Sequence, residues 1–319
     1  MKPNPEGLAI GIDIGGTKML GCVVDESCAV IDQGRAATPT ELDREEALDV
    51  LEEFVRSLHE LGKQEVGTIP VGIGLPGMVT LDGVMRFSPH LHALDGVDVR
   101  ARLSERLGGV AVSVGNDANC AALCEALVGA GKEWSDVLML TLGTGIGAGW
   151  VRDGELILGA HGYAGELGHM KVDPDGLSCP CGGRGCWERY VSGTALERLV
   201  QEAVDRETLT IDSDPGEGLG QTVKVLAQRG DLVAKGILDE LSWWLARGLG
   251  FIVAMGDPGV IILGGGLTDV ADEVIPRVVA LLPTILEGGT IHESVSLRIA
   301  DFGERSGAIG ASLMARRSS

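Results

Sequence analysis

Three cysteines and a histidine cluster in one stretch of the chain. His169 is followed by Cys179, Cys181 and Cys186. Three thiolates and one imidazole make a closed tetrahedral ligand set for structural zinc, and glycines between the last two cysteines let the loop fold tightly. The pattern predicts a zinc-binding loop, with unpaired or redox-active cysteines as the alternative. Because the chain has seven cysteines, an odd number, a complete disulfide framework is not expected.

A second chemical signal is an amide next to a carboxylate. Asn116 and Asp117 follow a predicted strand at 110–114 and precede a predicted helix over 120–127. Such a pair suits the hydroxyl groups of a polyol, and its carboxylate can serve as the base that removes a hydroxyl proton in phosphoryl transfer. The alternative is that Asp117 or Asn119 only caps the helix.

Two glutamates flank the cysteine cluster together with its histidine. They are Glu166 and Glu188, on either side of His169 and the cysteines. Two carboxylates and an imidazole that face one cleft suit the hydroxyl groups of a sugar, because zinc would hold the loop that carries them. For either glutamate alone, solvation at the surface is the alternative.

Glycine-rich turns close four of the predicted strands. They are the segments 13–18, 72–77, 143–149 and 264–266. Backbone N–H groups in such turns approach phosphate oxygens closely, because no side chain intervenes. Several such turns in one α/β chain predict a nucleotide held between two lobes. Asp13 would then lie by a Mg²⁺–phosphate cluster, with a turn-capping aspartate as the alternative.

The second of these turns raises the question of a dinucleotide. Gly72–Gly77 matches the spacing Gly-x-Gly-x-x-Gly. Dinucleotide binding requires a helix that begins inside the glycines. Pro76 and the hairpin-like residues 78–83 oppose a helix there, so NAD is not expected. The sequence also lacks Gly-x-x-x-x-Gly-Lys-Ser/Thr, which excludes a P-loop.

The elements that position these residues alternate between strands and helices. Predicted strands lie at 8–16, 19–25, 29–35, 66–73, 110–114, 136–143, 146–151, 155–158, 260–263 and 295–299. Predicted helices lie at 41–61, 120–127, 194–204, 232–255 and 307–316, and residues 103–107 are predicted to end a further helix. The order of strand, glycine turn and two further strands occurs at 8–35 and again at 136–158. We therefore expect two duplicated α/β units with parallel or mixed sheets covered on both faces.

Length, composition and charge exclude several classes of protein. The chain has 319 residues, 45% of them apolar, and a formal net charge of −20. So acidic a chain argues against nucleic acid or an anionic membrane as a primary partner. No uncharged stretch reaches the ~20 residues that span a bilayer, and no apolar run precedes the first strand. We expect a cytoplasmic protein without a signal peptide.

The motifs in combination resemble those of the ROK family, which comprises bacterial sugar kinases and sugar-responsive repressors of the actin-like ATPase superfamily. The segments that carry the resemblance span nearly the whole chain. They are Asp13–Lys18, Gly74–Gly77, Gly115–Asn119, Leu142–Gly147, Gly165–Met170, Cys179–Glu188 and Asp257–Gly266. The zinc loop is the most specific of them.

The resemblance implies a fold and a reaction. The fold is the duplicated, two-lobed α/β fold of the actin-like ATPases (ribonuclease H-like), with a zinc-binding loop. The N-terminal lobe would comprise residues 1–118, with a final helix at about 306–319 packed back on it, and the larger C-terminal lobe residues 119–305. ATP with Mg²⁺ would phosphorylate the 6-hydroxyl of a hexose, and the chain would form a homodimer or homotetramer.

The resemblance also implies a role for each matching residue. Asp117 would be the general base. The sugar would be held by Gly77, Asn116, Asp117, Glu166, His169 and Glu188. The nucleotide and its phosphates would be held by Asp13, Gly15, Gly16, Thr17, Lys18, Gly143, Thr144, Gly145, Gly264, Gly265 and Gly266. The structural Zn²⁺ would be held by His169, Cys179, Cys181 and Cys186.

One departure from the family pattern leaves the sugar open. Family members commonly carry Asn-Leu-x-x-Trp after the first hairpin, whereas here His90 replaces the Asn and the Trp is absent. Glucose is the first expectation. N-acetylmannosamine, N-acetylglucosamine, fructose and mannose are the alternatives, and polyphosphate is a further possible donor.

The sequence argues against two non-enzyme functions of such proteins. A DNA-binding repressor is not expected, because only twelve residues precede Asp13 and the chain is acidic. A sugar sensor needs neither a catalytic base nor phosphate turns, and this sequence retains both. We therefore expect an ATP-dependent sugar kinase.

Overall fold

The computed structural model describes residues 7–62, 69–211, 218–289 and 295–317. The chain forms two compact units. The first comprises Met1–Met139, Gly149–Gly165 and Ala300–Ser319, and the second comprises Leu140–Ala148 and Glu166–Ile299. The predicted lobe boundary after residue 118 stays a prediction.

The first unit is built around a five-stranded mixed sheet. Its strands and helices in chain order are β1 (Ala9–Ile14), β2 (Lys18–Val24), β3 (Val30–Ala37), α1 (Arg44–Leu61), β4 (Val71–Leu75), β5 (Met78–Val79), β6 (Met85–Phe87), α2 (Val99–Arg106), β7 (Val112–Asn116) and α3 (Asp117–Leu127). The sheet has the order β3-β2-β1-β4-β7. The strands β1, β2 and β3 are antiparallel neighbours, whereas β4 and β7 run parallel to β1.

The second sheet repeats this order. Its strands are β8 (Asp136–Leu142), β9 (Ile146–Arg152), β10 (Glu155–Leu156), β11 (Val260–Gly264) and β12 (Ser296–Ile299), in the order β10-β9-β8-β11-β12. In both sheets the first strand lies in the centre, with the next two strands on one side and the last two on the other. The predicted duplication of α/β units is therefore confirmed.

The remaining helices lie after the second hairpin. They are α4 (Gly193–Asp205), α5 (Leu219–Gln228), α6 (Leu232–Gly256), α7 (Ala271–Ile285) and α8 (Ser306–Arg317). In the second unit α6 packs against α5 and α7. Within the described part of the chain, no helix combines the length and apolar character needed to cross a bilayer.

Helix α1 begins later than its apolar pattern suggests. The predicted helix starts at residue 41 with Thr40 as its cap, whereas the observed N-cap is Asp43. The Asp43 carboxylate accepts a hydrogen bond from the N–H of Glu46, and the Glu46 carboxylate accepts one from the N–H of Asp43. This capping box satisfies two amides that the first helical turn leaves unpaired, which fixes the start of the helix.

Helix α8 lies in direct backbone contact with the first sheet. A Cβ atom on Gly11 of β1 would overlap the carbonyl oxygen of Ala308, and one on Gly72 of β4 would overlap that of Ala311. On the helix itself, a Cβ on Gly310 would overlap the carbonyl oxygen of Cys120 in α3. Three glycines therefore set the distance of α8 from β1, β4 and α3.

The close contact of α8 predicts that a glycine-to-alanine substitution affects stability differently in α8 and in α6. Gly310→Ala should lower the free energy of unfolding by about 2 kcal/mol or more, because the added methyl group must displace the backbone of α3. Gly236→Ala in α6 is the matched control, since its Cβ would meet no atom within 4 Å. We expect this control to be neutral or to stabilise by up to about 1 kcal/mol, through helix propensity. Equal changes in urea unfolding of the two variants would contradict the close contact.

Candidate functional site

The carboxyl ends of three parallel strands bring the candidate catalytic residues together in the first unit. In the sheet register Asp13 of β1 pairs with Gly74 of β4, and Gly74 pairs with Gly115 of β7. A Cβ on Gly74 would lie 3.2 Å from the Cα of Asp117. Glycine at this position therefore lets the start of α3 approach the end of β4, and Asp117 comes close to Asp13.

Asn116 joins two parts of this end of the sheet. Its Oδ1 accepts a hydrogen bond of 3.0 Å from the N–H of Asn119, which makes Asn116 the N-cap of α3. Its Nδ2 donates a hydrogen bond of 3.1 Å to the carbonyl oxygen of Gly77. The alternative interpretation of Asp117 or Asn119 as the cap is wrong. Asp117 is the first residue of α3, and its Oδ1 accepts a hydrogen bond from the N–H of Ala118.

Asp13 has an unusual electrostatic environment. Desolvation by burial raises the pKa of its carboxyl group to about 8, and the nearby charge of Asp117 adds to the increase. On another side lies Gly307, the second residue of α8, where a Cβ would overlap the Asp13 carboxyl group. The raised pKa favours the protonated form of Asp13, whereas a cation bound beside this carboxyl group would favour its ionised form.

The turn between β1 and β2 contains the first group of predicted phosphate-binding residues. The N–H of Gly15 donates a hydrogen bond of 3.0 Å to the carbonyl oxygen of Lys18, and the hydroxyl of Thr38 donates to the carbonyl oxygen of Gly15. The side chain of Thr17 is exposed. The ammonium group of Lys18 lies 3.4 Å from the carboxylate of Glu304.

His90 lies over this turn. Atoms of its imidazole ring are 3.1–3.3 Å from the point that a Cβ on Gly16 would occupy. The residue that departs from the family pattern is thus packed on the predicted phosphate turn, and a larger residue than glycine at position 16 would displace it.

In the second unit the four predicted zinc ligands converge. Ligand atoms of His169, Cys179, Cys181 and Cys186 all lie within 4.8 Å of one another. The Sγ atoms of Cys181 and Cys186 are 3.6 Å apart, and the Sγ of Cys179 is 3.9 Å from Nδ1 of His169. A tetrahedral zinc ion with Zn–S bonds of about 2.3 Å requires sulfur–sulfur separations of roughly 3.8 Å. The ligand set therefore fits zinc, with Nδ1 as the imidazole donor.

The loop that carries these ligands is anchored in the core of the second unit. Trp187 follows the last cysteine, is fully buried, and donates a hydrogen bond of 2.8 Å from Nε1 to the carbonyl oxygen of Trp244. Gly248 of α6 makes room for it, because a Cβ there would overlap the indole ring. Within the loop, Gly185 has a φ of 66° and lies against the carbonyl group of Asp173. Glycine is required at this position for both reasons.

The two predicted sugar-binding glutamates lie on either side of His169. Oε1 of Glu188 is 3.4 Å from Nδ1 of His169, and Oε2 of Glu166 is 3.9 Å from Nε2. Burial raises the pKa of Glu166, the charge of Glu188 adds to this increase, and His169 opposes it. The three side chains form one polar cluster, as the sequence predicts.

The turn after β8 lies next to the same cluster. A Cβ on Gly145 would lie 2.5 Å from Oε2 of Glu188. The turn also rests on the start of α4, since the carbonyl oxygen of Gly143 accepts from the N–H of Gly193 and that of Thr144 accepts from the hydroxyl of Thr194. The N-terminus of a helix attracts anions, which suits a phosphate turn.

The fourth glycine turn, at 264–266, ends β11. Gly265 has a φ of 86°, and a Cβ there would lie 2.6 Å from the carbonyl oxygen of Leu142 at the end of β8. Both the left-handed conformation and the close contact require glycine. Gly264 and Gly266 flank it, with no atom within 4 Å of a Cβ on Gly266.

The predicted site residues thus form two groups, one in each unit. The first unit holds Asp13, Gly15, Gly16, Thr17, Lys18, Gly77, Asn116 and Asp117. The second holds Gly143, Thr144, Gly145, Glu166, His169, Cys179, Cys181, Cys186, Glu188, Gly264, Gly265 and Gly266. Sequence reasoning missed Gly307, which no local pattern links to Asp13, and Glu125, whose only signal is a charge in an otherwise apolar helical stretch.

The environment of Asp13 predicts a pH-dependent stability. Between about pH 4 and pH 8 the unfolded chain has lost the Asp13 proton while the folded chain retains it, so this residue lowers stability as the pH rises. Asp13→Asn should therefore melt above the wild type at pH 7.5 without Mg²⁺, and its advantage should shrink toward pH 4. The limit is about 1.4 kcal/mol for each pKa unit.

Asp153→Asn is the control, since this exposed residue lies in a turn with a φ of 50° that asparagine also adopts. The measurement is the melting temperature of the wild type, Asp13→Asn and Asp153→Asn across this pH range. A difference between Asp13→Asn and the wild type that does not change with pH would contradict the raised pKa.

Comparison with known proteins agrees with the fold and with the motifs. The ROK family model matches residues 9–318. The glucokinase of Streptomyces coelicolor is 34% identical, over 97% of this chain and 98% of its own. The N-acetyl-D-glucosamine kinase of Pectobacterium carotovorum is also 34% identical, over 95% of this chain and 97% of its own.

A solved structure extends the likeness to three dimensions. The ROK family glucokinase from Streptomyces griseus, in complex with glucose and AMPPNP, superposes with a TM-score of 0.83 at 34% identity. The match covers 98% of this chain and all of that one. These similarities account for both the duplicated α/β fold and the motifs found in the sequence. The chain belongs to the ROK family.

Proposed function

We propose that this chain is an ATP-dependent sugar kinase that converts glucose and ATP to glucose 6-phosphate and ADP. The observation that carries the proposal is the pair of carboxylates, Asp13 and Asp117, at the ends of parallel strands in a chain of this family. A carboxylate that accepts a hydroxyl proton and a site for a metal–phosphate cluster are the two parts that such a transfer needs.

In this proposal Asp117 is the general base. Its position at the first turn of α3 fixes its carboxylate, since Oδ1 already accepts from the N–H of Ala118. The base must be ionised to take the proton of the sugar hydroxyl. Asp13 lies close enough for the charge of Asp117 to contribute to its raised pKa, so the two carboxyl groups interact electrostatically.

Mg²⁺ with ATP would neutralise the charge that develops on the transferred phosphoryl group. Asp13 would lie beside this cluster, with Gly15, Gly16, Thr17 and Lys18 at the phosphates. Gly143, Thr144 and Gly145 would hold phosphates from the second unit. Gly264, Gly265 and Gly266 would lie near the adenosine.

The proposed sugar-binding residues are those that match the family motifs. Asn116, Asp117 and Gly77 come from the first unit. Glu166, His169 and Glu188 come from the second. With zinc on Nδ1 of His169, Nε2 carries the ring proton and can donate to a sugar hydroxyl. Zinc here would act structurally, by fixing the loop between His169 and Glu188.

Glucose is the first candidate because the glucokinases of Streptomyces coelicolor and Streptomyces griseus are each 34% identical over nearly the whole chain. N-acetylglucosamine is the second, since a kinase for that sugar in Pectobacterium carotovorum is equally similar. We further propose a homodimer or homotetramer in the cytoplasm, with lobes that divide near residue 118.

The direct test is ADP release with MgATP against glucose, mannose, fructose, N-acetylglucosamine and N-acetylmannosamine, with polyphosphate as a second donor. Turnover on glucose well above the others would support a glucokinase. Turnover on another sugar would change the assigned substrate and leave the proposed mechanism unchanged. Sugar binding without turnover on either donor would indicate a sensor and contradict the kinase.

The same assay tests the base. Asp117→Asn should lower kcat by a factor of roughly 100 to 10,000, because the amide cannot accept the hydroxyl proton. Its dissociation constant for the sugar, measured by calorimetry, should stay within a few-fold of the wild type. Asp153→Asn serves again as the control and should keep full activity. Normal turnover of Asp117→Asn would rule out the assigned base.

Metal analysis tests the zinc loop. Protein purified without added metal should contain about one zinc per chain, and Cys181→Ser should lose most of it along with thermal stability, since a bound structural metal contributes to folding. Cys28→Ser is the matched control, because this buried thiol lies outside the cluster. Wild-type protein that is metal-free as purified, or equal zinc in both variants, would overturn the site.

A further inference from the structure

A buried glutamate outside the proposed chemistry holds the start of α8. Glu125 of α3 is fully buried. Its Oε2 accepts hydrogen bonds of 3.0 Å from the N–H groups of Ala130 and Asp301. Its Oε1 accepts one of 3.0 Å from the N–H of Phe302 and one of 2.7 Å from the hydroxyl of Ser306. Four donors thus satisfy a carboxylate that has no access to water.

Three of these donors belong to one short stretch. Residues 301–305, here called the entry segment, lead into α8, and Ser306 is the first residue of that helix. A carboxylate is suited to this task, because it is the one side chain that accepts on both oxygens without presenting a donor. Loss of these four charge-assisted hydrogen bonds would free the entry segment, because no other side chain can pair with all four donors.

The entry segment and the start of α8 contact residues proposed to bind phosphate and metal. Glu304 within it forms ion pairs with Lys18 of the phosphate turn and with Arg35 of β3. Gly307, two residues beyond the segment, lies against the carboxyl group of Asp13. Glu125 itself stands on α3, the helix that begins with Asp117.

We infer that Glu125 is a positioning residue for the nucleotide end of the site. It fixes the entry segment to α3, and through that segment it sets the positions of Lys18 and Asp13 relative to Asp117. The inference rests on the proposed function for the role of Asp13 and Lys18 in binding MgATP. It assigns no contact between Glu125 and substrate.

The test compares nucleotide and sugar binding in Glu125→Gln. Glutamine keeps one acceptor and turns an –NH₂ group toward two N–H donors, so the entry segment should loosen. We expect the dissociation constant for Mg²⁺–AMPPNP to rise by about tenfold or more and kcat to fall by about 100-fold. The dissociation constant for glucose and its KM should stay within a few-fold. A purely structural lesion would not separate the two ligands in this way.

Ser312→Ala is the matched control. It removes a buried hydrogen bond of 2.6 Å inside α8, to the carbonyl oxygen of Ile309, without touching the entry segment. It should lower the melting temperature and leave both dissociation constants unchanged. Ser306→Ala removes one of the four hydrogen bonds to Glu125, and should give a smaller loss of nucleotide affinity if Glu125→Gln does not fold.

The outcomes separate this inference from the proposed function. Equal losses in Glu125→Gln and Ser312→Ala, or a loss confined to glucose, would overturn the positioning role. A wild-type protein that binds Mg²⁺–AMPPNP but phosphorylates no sugar would contradict the proposed function. The nucleotide dissociation constants of the variants would then still test the positioning role of Glu125. A wild-type protein that binds no nucleotide would defeat both.

Discussion

Contact between the backbone of α8 and the first sheet is the constraint on which the candidate site depends. Glycines at positions 11 and 72 remove the side chains that would hold the helix away from β1 and β4, and Gly310 does the same toward α3. Interior packing leaves few voids, so these three close contacts restrict where the helix can lie. That position places Gly307 against Asp13 and fixes the end of β1 beside the start of α3.

The carboxyl groups at this end of the sheet then make it suited to a cation. The parallel register of β1, β4 and β7 brings Asp13 and Asp117 to one edge, where burial keeps a proton on Asp13. A bound divalent cation would favour the ionised form of both. The stability that the free protein loses through the desolvated carboxyl group of Asp13 would thus be regained in the complex with metal and nucleotide, as is common at binding sites.

Much of this arrangement can be predicted from the sequence, because its signals are local. Strands ended by glycine, the repeat of the hairpin order and the spacing of the cysteines all lie within short windows. Three of the four partners of Glu125 lie 176–181 residues away along the chain, so only the fold reveals what the charge in α3 does. The cap of α3 was also missed, since Asn116, Asp117 and Asn119 are all good caps and only the backbone path selects Asn116.

Specificity for a sugar has a different physical origin from catalysis in this chain. The glutamates proposed to contact hydroxyl groups flank the cluster of His169 and three cysteines and the buried Trp187, so a zinc ion bound there would fix their positions. His90 belongs instead to the first unit and is held by its contact with Gly16. An imidazole at this position is larger than the amide that is common in the family and offers one donor in its neutral form. In the proposed kinase, selection among hexoses would then depend on the room and the single donor that His90 leaves beside the phosphate turn.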